Sequence, residues 1–168
     1  MPNTRKLVYL SMLTTLAAAL GLLETLLPNP FPLPGVKLGL ANIVTLLVLY
    51  LYGLKEGLTV ALLRVCFVSF LTGTFFSVGF FLSLSGSILS TLVMAFCRRL
   101  LPGLSILGVS VIGAVAHNMG QLGAASFLIQ TGYIFYYLPI LLLAGIPTGI
   151  LTGYIAGLLR PHLEKRDL

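Results

Sequence analysis

The chain has 168 residues, 58% hydrophobic and 8% charged, with a formal net charge of +6. That composition cannot supply the polar surface that a soluble domain of this length needs. A helical membrane span takes ~20 apolar residues, so six spans would use about 120 and leave only short loops, with no separate soluble catalytic domain.

Apolar runs predict spans at roughly 7–27, 37–53, 56–73, 78–97, 104–130 and 133–159. Arg5 and Lys6 precede the first run, and Lys55 lies between the second and third. Arg98 and Arg99 follow the fourth, and Arg160, Lys165 and Arg166 follow the sixth. The alternate turns carry only Lys37. Positive charge stays on the side of the membrane where the chain is made. The pattern therefore predicts one six-span domain over 1–168, with both termini cytoplasmic, and the basic surplus needs no nucleic-acid partner. The runs are continuously apolar, which argues for an all-α bundle and against a small β-barrel. No internal repeat points to an inverted-repeat transporter.

The first run is too long for a secretory signal core and reads as a retained span. Ala17 and Gly21 stand four residues apart in it, with Ser11, Thr15 and Ala19 as a second small, weakly polar stripe. Small residues at this spacing let helix backbones approach in lipid, inside the bundle or against a partner. Glu24 lies near the outer end. Prolines at 28, 30, 32 and 34 then forbid helix and hold the connection extended, as a stiff linker or as a lid over a cavity.

The second span begins near Lys37 and carries Asn42 early in its course. In the third, Arg64 is nine residues past Lys55, which places it ~13 Å along a helix. An arginine at that depth needs a partner or a wet cavity. Two readings stay open: an ion pair with Glu24, or a seat for an anionic ligand group. Cys66 and Cys97 lack the spacing of a disulfide framework or metal site and are expected as buried, reduced thiols.

His117, Asn118 and Gln121 fall on neighbouring parts of one helical face in the fifth span, beside the small-residue row Ala116, Gly120 and Ala124. The sixth carries Gly145, Gly149, Gly153 and Gly157 on one face, expected to pack within the bundle. Pro139 and Pro147 are expected to interrupt that helix and free the carbonyls of Phe135 and Leu143. Tyr133, Phe135, Tyr136 and Tyr137 mark its interfacial aromatic belt. By depth, Glu24, Lys37, Asn42, Arg64, His117, Asn118 and Gln121 all belong to the middle or outer half. Interhelical hydrogen bonding would account for any one of them, but seven at matching depth favour a single outward-opening polar cavity.

Two stretches, Pro34-Gly-Val-Lys-Leu-Gly-Leu-Ala-Asn-Ile-Val-Thr45 and Gly113-Ala-Val-Ala-His-Asn-Met-Gly-Gln121, with Arg64 between them, carry a resemblance. They resemble the bacterial membrane family labelled Gx transporter or heptaprenyl diphosphate synthase component I, over nearly the whole chain. The arrangement is also similar to the substrate-binding S components of energy-coupling factor (ECF) transporters. That likeness implies a bacterial plasma-membrane protein that binds a small molecule from outside. It implies docking on a membrane coupling subunit driven by two ATPases, with Ala17 and Gly21 as the docking stripe and the Pro28–Gly35 loop as the gate.

The component I label implies a different role, in prenyl diphosphate synthesis. Such a synthase holds magnesium on clustered aspartates, and this chain has one aspartate, Asp167, and no acidic cluster. It also lacks a Gly-rich phosphate loop ending in Gly-Lys-Ser/Thr, so any ATP would be used by another protein. No cofactor or metal is expected, and no nucleophile–base set around His117 suggests catalysis. A transporter subunit, a non-catalytic accessory of isoprenoid or quinone metabolism, and a purely structural subunit therefore remain as the three classes.

Overall fold

A computed structural model describes residues 4–26 and 38–167. Among them lie six α-helices and no strand: α1 (Thr4–Leu26), α2 (Leu40–Leu51), α3 (Leu54–Leu71), α4 (Val78–Leu100), α5 (Ile106–Ile129) and α6 (Leu138–Asp167). Four of them, α1, α4, α5 and α6 with its leading turn, are long and apolar enough to cross a membrane. The chain is thus a helical membrane bundle.

The basic residues meet at one end of it. Lys6 at the start of α1 pairs with Glu56 at the start of α3. Arg98, at the end of α4, donates to the Leu49 carbonyl at the end of α2. The Tyr50 ring lies between Arg98 and Arg160, 4.7 and 4.9 Å from its centre. Folding has gathered at one face the charges that the sequence spreads over alternate turns.

The helix α2 is shorter than the run 37–53 suggests. Gly39 and Gly53 bracket it at φ +77 and +101, backbone that side-chain-bearing residues rarely adopt, so the helix is confined to twelve residues. That is ~18 Å, well short of the ~30 Å hydrocarbon layer. It is buried nonetheless, in contact with α1, α3, α4 and α6. Ile43, Leu46, Leu47 and Leu49 join one apolar core with Met94, Val109 and Ala156, while Val44 and Val48 join another with Ala17 and Val60. A helix apolar on every face is what a central position requires.

On the other side, α4 packs on α5 and α5 on α6 through glycine. A Cβ at Gly120 would lie 2.9 Å from the Gly86 Cα, and one at Gly149 2.7 Å from the Val111 Cα. Lipid offers no hydrophobic drive for helix association, so such close approach is the main source of attraction. The glycine row of α6 packs inside the bundle, as its spacing suggests.

Three expectations need correction. Ala17 is fully buried against α2 and α3, and a Cβ at Gly21 would meet Val68 at 3.0 Å. That pair is therefore turned inward and cannot receive an external partner, whereas Ser11, Thr15 and Ala19 are exposed. Pro139 does not interrupt the sixth helix but stands in its first turn, where a missing N–H costs nothing. The Phe135 carbonyl is not left free, because a separate 3-10 turn over Tyr133–Tyr137 gives it the Leu138 N–H. Pro147 is carried inside α6. Cys66 and Cys97 are free thiols and only half-buried. The Pro28–Gly35 loop lies outside the described residues.

Candidate ligand-binding site

All six helices contribute to a cavity of about 80 Å³ in the half of the bundle away from the basic end. Its walls include Glu24 from α1, Asn42 from α2, Arg64 from α3, Ser83 from α4, His117, Asn118 and Gln121 from α5, and Thr148 and Thr152 from α6. Six of the seven expected residues are thus brought together. The seventh, Lys37, lies outside the described residues.

Arg64 is the centre of the arrangement. It is 8% exposed, although a charge held at mid-membrane costs at least ~2.5 kcal/mol. Its Nη1 donates to Asn42 Oδ1 at 3.1 Å and its Nη2 to Ser87 Oγ at 2.7 Å. Both acceptors are neutral. Its Nε is buried with no hydrogen-bond partner among the described residues. The guanidinium is therefore fixed in place with donor capacity left over.

Of the two open readings of Arg64, the direct ion pair with Glu24 does not form. The ion pairs of the bundle include Lys6–Glu56 and Arg160–Glu164. Glu24 instead accepts the backbone N–H of Gly39 through Oε1. The left-handed turn at Gly39 presents that N–H to α1, and a Cβ there would come within 3.4 Å of Thr152 and 3.5 Å of Asn42. A residue with a side chain would be strained in its backbone there, while its Cβ would make only ordinary contacts.

On α5, the Gln121 amide nitrogen and His117 Nε2 are 3.2 Å apart, one turn along the helix. The Asn118 amide donates to the Leu141 carbonyl of α6 at 2.7 Å. The α4–α5 crossing sets the height of this group: a Cβ at Gly86 would meet the His117 carbonyl at 2.9 Å and Gln121 Cγ at 3.0 Å. Bare backbone at Gly86 thus lets the polar turn of α5 lie beside Ser87, the residue that holds Arg64.

The sequence reading missed Ser87, Ser69, Ser83, Thr148 and Thr152. Hydroxyls in membrane helices usually bond to a carbonyl one turn back and so carry little signal. Thr148 bonds to the Ala144 and Gly145 carbonyls, and Thr152 to those of Thr148 and Gly149. Ser87 follows Gly86 directly, and that small pair was the one available clue.

Chemically, the cavity offers a fixed cation with unspent donor capacity, one carboxylate, and an amide–imidazole pair. Such a set can bind and orient a small polar molecule.

No curated protein and no solved structure matches the chain. One family model does, that described as heptaprenyl diphosphate synthase component I, over residues 13–159. The matched stretch spans Glu24, Asn42, Arg64 and the His117–Gln121 turn, and by it this chain belongs to the heptaprenyl diphosphate synthase component I family.

Proposed function

We propose that this chain is a membrane-embedded binding subunit, built like the S components of ECF transporters. It receives a small molecule with a negatively charged group at Arg64 and delivers it inward together with partner subunits. The observation that carries this reading is a buried arginine at the wall of a polar cavity, held by Asn42 and Ser87 with its Nε unspent. A purely structural arginine would be expected to spend its donors on its own protein. The clustering of basic residues at the opposite end supports a cytoplasmic position for both termini, which makes the cavity outward-facing. Asn42, His117, Asn118 and Gln121 would supply hydrogen bonds. The exposed Ser11, Thr15 and Ala19 stripe of α1 is the surface best suited to a coupling subunit with its ATPases.

Native mass spectrometry of the gently solubilised protein, purified from its own host, tests this. A retained water-soluble molecule that Arg64→Ala loses and Arg99→Ala keeps supports the reading. A folded Arg64→Ala protein that holds the same molecule at the same occupancy sinks it.

A second reading follows from the family's name, which implies a partner component in heptaprenyl diphosphate synthesis. The chain would then be a non-catalytic accessory, with the magnesium chemistry on a soluble subunit. The cavity at Arg64 is small and polar, but a groove of about 370 Å³ with a more apolar lining lies between α1 and α3, walled by Leu10, Thr14, Val60, Leu63 and Phe67. A prenyl diphosphate or a soluble prenyltransferase subunit in the same spectrum, with stimulation of that enzyme by this chain, would favour it.

A further inference from the structure

The cavity wall carries one cation and one anion that do not meet. Arg64 on α3 and Glu24 on α1 both line it, yet no ion pair joins them. Each is held by neutral groups: Arg64 by the Asn42 carbonyl oxygen and the Ser87 hydroxyl, Glu24 by the Gly39 backbone N–H. Opposite charges on the wall of one weakly polar cavity attract each other. Their anchors keep them apart and leave a positive and a negative pole on walls formed by different helices.

A free anion would answer Arg64 and leave the Glu24 charge unmatched, and a free cation would do the reverse. A molecule bearing both charges answers both and brings no net charge out of water. The size of the space narrows the choice. At about 80 Å³ it is near half the ~150 Å³ that admits a benzene ring, so the charged part of the ligand seated between the two poles is small.

We infer that the ligand is a small zwitterion of the amino-acid type. Its carboxylate meets the part of the Arg64 guanidinium that lines the cavity, and its ammonium is turned toward Glu24. This rests on the binding-subunit reading above and adds to it the charge pattern of the ligand.

The test uses the full chain in lipid nanodiscs, with folding checked by circular dichroism melting, since the protein has no tryptophan to report by fluorescence. Isothermal titration compares glycine, β-alanine and 4-aminobutyrate with acetate and methylammonium. The best of the three zwitterions is expected to bind at least tenfold more tightly than either single-charge probe. Glu24→Gln keeps the oxygen that Gly39 needs, and it is expected to bring that zwitterion down to the level of acetate without weakening acetate itself. Glu24→Asp retains part of the preference, and Arg64→Gln abolishes binding of both. Acetate binding as tightly as the best zwitterion, and lost in Arg64→Gln, overturns the zwitterion and leaves the cavity reading standing. Unchanged zwitterion affinity in a folded Glu24→Gln protein does the same. A cooperatively folded protein that binds none of the five probes also overturns it. The retained molecule in the native spectrum then decides separately whether the cavity reading survives.

Discussion

At the basic end of the bundle, charges sit near the surface and are answered by neighbours. Lys6 has Glu56, Arg160 has Glu164, and Arg98 has the Leu49 carbonyl and the Tyr50 ring. At the cavity, Arg64 is buried, its partners are neutral, and a carboxylate in the same cavity is tied to a backbone N–H instead. The same residue type therefore stands in two settings. At the basic end it is exposed and paired; at the cavity it is buried with donor capacity in hand, which is the ground for the proposed binding role.

Arg64→Met gives the sharpest break in that contrast. Truncating one partner of a buried charge pair costs about 2–5 kcal/mol, so ligand affinity should fall by roughly thirtyfold or more. The same change takes the donors from Asn42 Oδ1 and Ser87 Oγ, at about 1–3 kcal/mol for each buried group left unsatisfied, so the ligand-free protein should melt somewhat lower than the parent. Titration and thermal melting in nanodiscs read both. Unchanged ligand affinity in a folded Arg64→Met protein would make Arg64 a structural residue and erase the contrast.

Packing comes next. Gly120→Val would push side-chain atoms into the Gly86 backbone and should cost about 1–3 kcal/mol, seen as a lower melting temperature. Gly123, three residues on, has nothing within 4 Å of a would-be Cβ, and Gly123→Ala should be neutral or stabilising by up to about 1 kcal/mol. Equal effects at the two sites would contradict the α4–α5 crossing described above. The smallest effect is expected at the basic end. Lys6→Ala removes a half-exposed pair worth under ~1 kcal/mol and should leave ligand binding unchanged. A tenfold loss of binding in that variant would show that the two ends are coupled.

Much of this was legible in the sequence, for identifiable reasons. Long apolar runs and the charges between them report membrane crossing directly, because lipid penalises every exception. The same penalty makes Glu24, Asn42, Arg64, His117, Asn118 and Gln121 conspicuous, and the fold does gather them. Their pairing was not legible. Whether Arg64 meets Glu24 or Ser87 depends on how the helices are rotated, and that is set by Gly86, Gly120 and the left-handed turn at Gly39. The inward turn of Ala17 and Gly21 was hidden for a similar reason: small residues permit close approach without saying to which helix. The shortness of α2 came from Gly39 and Gly53, whose positive φ the apolar run around them does not reveal.

The depth of Arg64 also bears on the membrane's voltage. Moving one net charge through the full potential is worth about 2.3 kcal/mol per 100 mV, and a binding site ~13 Å beyond Lys55 along α3 lies well inside that field. An anion travelling to Arg64 would therefore feel the resting potential as a bias on its affinity. A molecule whose charges cancel would feel almost none, so a cell could change its energisation without emptying or flooding the site.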